Sequence, residues 1–121
     1  MNKTILIADD SNSMRDLVGF TLKSAGYNVI EGVDGVDALR FFDGKEINLV
    51  ITDLNMPNMD GITLIREIRK LSDYSYTPIV LLTTESQHSK REDAKSAGAT
   101  GWLVKPFLQD KLLEVVRKVI R

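Results

Sequence analysis

Four apolar runs in this chain each stop at a residue able to act on a phosphoryl group. Ile5-Leu6-Ile7-Ala8 stops at Asp9-Asp10, Leu49-Val50-Ile51-Thr52 at Asp53, Ile79-Val80-Leu81-Leu82 at Thr83, and Trp102-Leu103-Val104 at Lys105. Ligands of an open α/β sheet bind just outside the carboxyl ends of its parallel strands. Strands lying side by side would bring three carboxylates, a hydroxyl and an ammonium into one shallow cleft. Two like charges ~5 Å apart at an effective dielectric of ~20 repel by about 3 kcal/mol, so three clustered aspartates need a cation. Mg²⁺ suits a site with few carboxylates that keeps its waters and meets phosphate oxygens. Asp53 is the candidate nucleophile, because a carboxylate can accept a phosphoryl group as an acyl phosphate. The metal and the Lys105 ammonium would neutralise the transferring group from two sides, with Thr83 donating its hydroxyl to a phosphate oxygen. The plainer account is that Asp10 caps a helix, Asp53 ends a strand and Lys105 is solvated. The joint placement of Asp53, Thr83 and Lys105 at strand ends favours the cleft. The Lys105-Pro106 bond is also of a type that can be cis, which would fix how the loop aims its lysine.

Short apolar runs alternate with amphipathic segments, the pattern of repeated βα units and a mainly parallel sheet. Strands are predicted near residues 4–8, 28–31, 49–52, 79–83 and 101–104. The first helix is expected to start at Ser13 as N-cap, to bury Met14, Leu17, Val18, Thr21, Leu22 and Ala25, and to stop at Gly26. A second runs over 35–42. The third opens near Asp60-Gly61 and buries Leu64, Ile65, Ile68 and Leu71. The last spans 108–120, with Leu112, Val116 and Val119 on one stripe. A helix over 88–97 offers only Ala94 and Ala97 as apolar anchors, so it is either an ordinary solvated helix or a movable element. The first, third and fourth strands are apolar on both faces and belong inside the sheet. The more polar second and the short fifth suit edges. Order 2-1-3-4-5, the flavodoxin-like α/β arrangement with helices on both faces, satisfies both facts.

The 121 residues read as one domain, 1–121, with a hydrophobic fraction of 43% and a charged fraction of 27%. A net charge of −1 gives no support for bulk binding to nucleic acid or an anionic membrane. The chain has no cysteine, so disulfides and thiolate metal sites are excluded and a reducing cytoplasm is the simple expectation. No signal peptide or membrane-length apolar stretch is present.

Asp9-Asp10, the stretch Asp53-Leu54-Asn55-Met56-Pro57-Asn58-Met59-Asp60-Gly61, Thr83 and Lys105-Pro106-Phe107 together resemble the motif set of two-component response-regulator receiver domains. The resemblance covers essentially the whole chain and is nearest to stand-alone chemotaxis receivers with no output domain. It implies that Asp53 is the phospho-acceptor, supplied by a sensor histidine kinase or a small acyl phosphate. It implies Mg²⁺ bound by Asp10, Asp53 and the Asn55 carbonyl, with Asp9 acting largely through water. Thr83 and Lys105 would contact the phosphoryl oxygens, and Thr83 with Trp102 would form the switch. Asn55, Thr84 and Glu85 sit where the family tunes the lifetime of the phosphoryl group. Asn55 and Glu85 imply a short one, while the bulk of Thr84 argues for slower loss. Trp102 departs from the usual smaller aromatic or histidine at its position. The resemblance further implies a monomer that performs self-directed phosphotransfer rather than turnover, with a flagellar motor switch component as output partner.

Rival readings share parts of the pattern. A phosphorelay intermediate or phosphate sink would use the same cleft. A haloacid-dehalogenase-type phosphatase needs a second aspartate two residues after its nucleophile as acid and base. Asn55 stands there and cannot transfer protons. An EF-hand would begin its ligands at Met56, which cannot bind Ca²⁺. A flavin carrier would want a neutral or basic first loop where Asp10-Ser11-Asn12-Ser13 is acidic. His88 reads as solvated, and no helix-turn-helix or basic stripe supports DNA binding.

Overall fold

The computed structural model describes residues 2–84, 86 and 89–120. Five parallel strands, β1 (Thr4–Ala8), β2 (Asn28–Gly32), β3 (Leu49–Asp53), β4 (Ile79–Thr84) and β5 (Gly101–Lys105), form one sheet in the order β2-β1-β3-β4-β5. Five α-helices alternate with them: α1 (Asn12–Ser24), α2 (Gly35–Leu39), α3 (Gly61–Arg69), α4 (Lys90–Ala97) and α5 (Gln109–Val119). The flavodoxin-like order expected from strand polarity is the order observed, with β2 and β5 at the edges.

Because side chains alternate along a strand, each central strand feeds two cores. Leu6, Val50 and Leu81 pack with Leu64, Ile65 and Ile68 of α3, whereas Ile7, Ile51 and Leu82 pack with Val18 and Leu22 of α1 and with Leu112 and Val116 of α5. Helices on both faces bury β1, β3 and β4 almost completely. Parallel register then fixes which strand ends are neighbours. Ala8 lies opposite Thr52, Asp53 opposite Leu82, and Thr83 opposite Val104.

Several local expectations are corrected. α1 is capped by Ser11 and not by Ser13, its Oγ accepting from the Met14 N–H at 3.2 Å. The chain turns earlier because the Asp9 carboxylate takes the Ser11 N–H at 2.9 Å. Leu17 is 40% exposed and Ala25 is exposed, while Arg15 and Gly19 take inward places. α2 ends at Leu39, and Phe41 and Phe42 pack on the core from beyond it. Leu71 is 37% exposed because α3 stops at Arg69, and Tyr74 of the following 3₁₀ turn, Ser72–Tyr74, fills the core instead. The helix expected over 88–97 is observed as α4, and both Ala94 and Ala97 are buried.

Gly61 marks the tightest approach near the carboxyl edge. A Cβ there would collide with the Asp53 carbonyl oxygen and touch Leu81 Cδ1 at 3.0 Å. Gly101, by contrast, faces open space. Gly61→Ala is expected to lose about 2 kcal/mol in urea denaturation as backbone moves to relieve the overlap. Gly101→Ala should stay within about 0.5 kcal/mol of wild type, the range of surface changes with no special mechanism.

Candidate functional site

The carboxyl ends of β1, β3 and β5 bring the predicted groups together. One carboxylate oxygen from each of Asp9, Asp10 and Asp53 lies within 4.8 Å of the others. Lys105 Nζ donates to Asp53 Oδ1 at 2.9 Å and stands 3.9 Å from Asp9 Oδ2. The Leu54 N–H donates to the same Asp53 oxygen at 2.9 Å. The Lys105-Pro106 peptide is cis. Asp9 is fully buried, Asp53 nearly so, and Asp10 is exposed at the rim.

Asp9 carries the electrostatic strain. Its burial pushes the carboxyl above the ordinary range, and the negative charges of Asp53 and Asp10 push the same way. The Ser11 N–H and Lys105 oppose that rise without cancelling it. Among the described residues, Asp9 Oδ2 is buried with no hydrogen-bond partner, and so is the Thr83 hydroxyl at the end of β4. A buried oxygen of Asp9 without a hydrogen bond, beside the carboxylates of Asp10 and Asp53, belongs to a donor set suited to a hard cation. Three carboxylates, with Asp10 at an open rim, fit an ion such as Mg²⁺ that takes few protein ligands and keeps part of its water shell.

The plainer reading of Asp10 fails on one point, since the capping oxygen of α1 belongs to Ser11. Asn55 is exposed in the loop that follows β3. Thr84 is half-buried, and its hydroxyl shares a 2.8 Å hydrogen bond with that of Ser86. Trp102 is 36% exposed at the sheet edge, with the Arg91 guanidinium carbon 5.2 Å from the centre of its ring. Glu85 and His88 lie outside the described residues.

Sequence reasoning passed over Arg15. Its guanidinium donates to the Asp9 carbonyl oxygen at 2.6 Å and to Asn12 Oδ1, and pairs with Glu31 of β2 at 3.6 Å. It therefore ties the acidic turn to α1 and to the sheet edge. The available signal was a single charged side chain among the otherwise uncharged inward positions of α1.

The raised Asp9 carboxyl sets a sign for the pH dependence of stability. The folded chain holds that proton more tightly than the unfolded chain, so this contribution is present at low pH and is lost as pH rises through the folded titration. Without added metal at neutral pH, Asp9→Asn is expected to melt above wild type. The gap should shrink on acidification, as followed by circular dichroism melts across a pH series.

A protein-family model described as "Response regulator receiver domain" matches residues 5–117. Chemotaxis protein CheY-3 of Vibrio cholerae serotype O1 is 36% identical over 119 residues, which is 98% of this chain and 92% of that protein. The solved structure of the chemotaxis response regulator CheY4 of Vibrio cholerae is 41% identical with a TM-score of 0.93, covering 98% of this chain and 99% of that one. A probable transcriptional regulator, ycf27 of Porphyridium aerugineum, is 40% identical over 117 residues, and this chain spans only 48% of its length. The receiver domain of a sensor histidine kinase from Pseudomonas aeruginosa is 28% identical with a TM-score of 0.90, and its structure has a magnesium ion coordinated in the active-site cleft. With a match running from the first strand into the last helix, the chain belongs to the response regulator receiver domains of two-component signalling.

Proposed function

We propose that this receiver accepts a phosphoryl group on Asp53 with Mg²⁺ and thereby changes its affinity for a partner. The observation that carries the reading is the polarity of Asp53 itself. Both of its donors, Lys105 Nζ and the Leu54 N–H, converge on Oδ1, and among the described residues no donor reaches Oδ2. Oδ1 is held in place and Oδ2 is left to attack. Oδ2 forms the new P–O bond while the bond from phosphorus to the donor's leaving group breaks, releasing acetate from acetyl phosphate or the free imidazole from a phosphohistidine. The Lys105 ammonium stays beside the carboxylate as charge accumulates on the phosphoryl oxygens.

Mg²⁺ would be held by Asp10, Asp53 and the Asn55 carbonyl, with Asp9 acting through water, and when bound would neutralise charge on the transferring group. The unpartnered Thr83 hydroxyl is a donor in want of an acceptor at the same sheet edge, the place a phosphoryl oxygen would fill. Formation of that bond, with Trp102 altering its packing at the neighbouring edge, would bias a two-state element. Asn55, Thr84 and Glu85 would set how long the phosphoryl group persists. Asn55 cannot move protons, which supports self-directed transfer over catalytic turnover of a separate phosphate ester.

Chemotaxis is the pathway we favour, because CheY-3 and CheY4 match this chain along nearly their whole lengths. The donor would then be a CheA-like sensor histidine kinase, and the output partner a flagellar motor switch component bound by a monomeric, stand-alone, cytoplasmic receiver. Among the described residues no helix is long and apolar enough to cross a membrane. The likeness to the receiver domain of a sensor histidine kinase keeps a phosphorelay intermediate or phosphate sink as the second reading.

Intact mass spectrometry after incubation with acetyl phosphate and Mg²⁺ tests the core of the proposal. Wild type is expected to gain one phosphate mass, dependent on the metal, and Asp53→Asn to gain none. Absence of any gain in wild type, or an equal gain in the variant, would overturn it. A pull-down with beryllofluoride-loaded against empty protein then separates motor control from relay.

A further inference from the structure

We infer that Asp34 and Asn58 are positioning residues for the metal site, acting through the loop that carries Asn55. The inference rests on the proposed Mg²⁺-dependent reading of the cleft and assigns it two residues that supply no ligand themselves. Residues 54–60 leave β3 and return to α3 through a closed neck, where the Gly61 N–H donates to the Leu54 carbonyl at 2.8 Å. A loop fixed only at its neck could tilt as a unit. Met56 and Met59 pack it on the core. Among the described residues one side-chain hydrogen bond ties its far side to another element, from Asn58 Nδ2 to Asp34 Oδ2 at 2.7 Å, spanning 24 residues of sequence.

Both partners are built for that contact. Asn58 has φ 69°, the one non-glycine residue with positive φ among those described, a conformation asparagine tolerates better than most side chains. Asp34 is only 7% exposed and uses both oxygens, since Oδ1 also caps α2 by accepting from the Asp37 N–H at 2.8 Å. Those two donors hold its carboxyl below the ordinary range. Met59 is pressed against the same turn, so closely that a Cβ on Gly35 would lie 2.8 Å from the Met59 carbonyl oxygen.

The other end of this clasp reaches the acidic turn. Asp34 lies two residues beyond Gly32, whose carbonyl accepts the Asp9 N–H at 3.2 Å. The β2–α2 turn is therefore a yoke, bonded on one side to the backbone of the buried aspartate and on the other to the loop bearing Asn55. Outer partners of this kind fix where a ligand sits without touching the ion. The clasp should accordingly govern Mg²⁺ affinity, and the step after binding should be left largely intact.

Three variants separate that role from simple structural support. Asn58→Gly keeps the backbone conformation and removes the amide. Asp34→Ser keeps a helix cap and loses the reach to residue 58. The double swap Asp34→Asn with Asn58→Asp restores a hydrogen bond of the opposite sense with no change in net charge. Calorimetric titration with Mg²⁺ should show affinity about tenfold weaker in each single variant and near wild type in the swap. Phosphate gain from acetyl phosphate at saturating Mg²⁺ should remain close to wild type in all three. An unchanged Mg²⁺ affinity in Asn58→Gly would overturn the inference, as would a fall in the saturated rate with affinity intact. Failure of wild type to bind Mg²⁺ at all would instead remove the metal-dependent reading on which it rests.

Discussion

The constraint on which this structure depends is the confinement of Asp9 and Asp53 beside a single ammonium. The two carboxylates lie within 4.8 Å of each other and are almost shut off from water. At an effective dielectric of ~20, charges at that separation repel by about 3–4 kcal/mol. Lys105 is close to both, but at 2.9 Å from Asp53 and 3.9 Å from Asp9 it favours one over the other. Asp9 is left in deficit, visible in its raised carboxyl and in an oxygen without a hydrogen bond among the described residues. Breaking a buried charge cluster is costly and relaxing it is not available within a close-packed sheet. The cluster is consequently ready for added positive charge, and its chemistry follows from that readiness.

Holding such a cluster requires walls that do not yield. The strand ends supply them, since β1, β3 and β4 are packed on both faces and their register leaves no freedom along the strand direction. Turns then refine what strands fix coarsely. The Ser11 N–H orients Asp9, the Leu54 N–H orients Asp53, and Arg15 grips the Asp9 carbonyl from α1. Each of these bonds comes from an element one step away in sequence from the group it aims. The far loop, residues 54–60, depends instead on a distant partner, and there Asp34 and Asn58 meet.

That difference explains how much was legible in the amino-acid sequence. Strand order could be read because burial on both faces leaves continuous apolar runs, whereas edges tolerate polarity. The positions of Asp9, Asp53, Thr83 and Lys105 at strand ends followed from the same runs. The extent of α1 was misjudged because Ser11 and Ser13 are equally good caps in isolation, and the choice between them is made by the Asp9 carboxylate. Leu17 and Leu71 were assigned inward on periodicity, yet Arg15, Gly19 and Tyr74 compete for those places with ion pairs, close packing and buried hydrogen bonds. The Asp34–Asn58 bond had no periodic signature at all. Its local traces were an aspartate before a helix and an asparagine after a proline, each of which reads as ordinary turn chemistry.

The anchoring of α4 shows how a weak helix can still be directed. Its buried residues are Ala94 and Ala97, worth about 0.8 kcal/mol per methyl group, so apolar packing alone would hold it loosely. Arg69 of α3 compensates at one end, donating through Nε at 3.1 Å and Nη2 at 2.8 Å to the carbonyl of Gly98, the αL residue that closes the helix. The opposite end has a softer restraint, the Arg91 guanidinium over the Trp102 ring. Directional hydrogen bonds therefore hold the C-terminal end of α4, and a softer ring contact holds the other. Thr83 and Thr84 end β4, the strand that precedes α4, so the more lightly held end of the helix is the one nearer in sequence to the carboxyl edge of the sheet. The placement of two arginines, one on α3 and one within α4, thus decides which end of this weakly apolar helix is tied to the fold by hydrogen bonds.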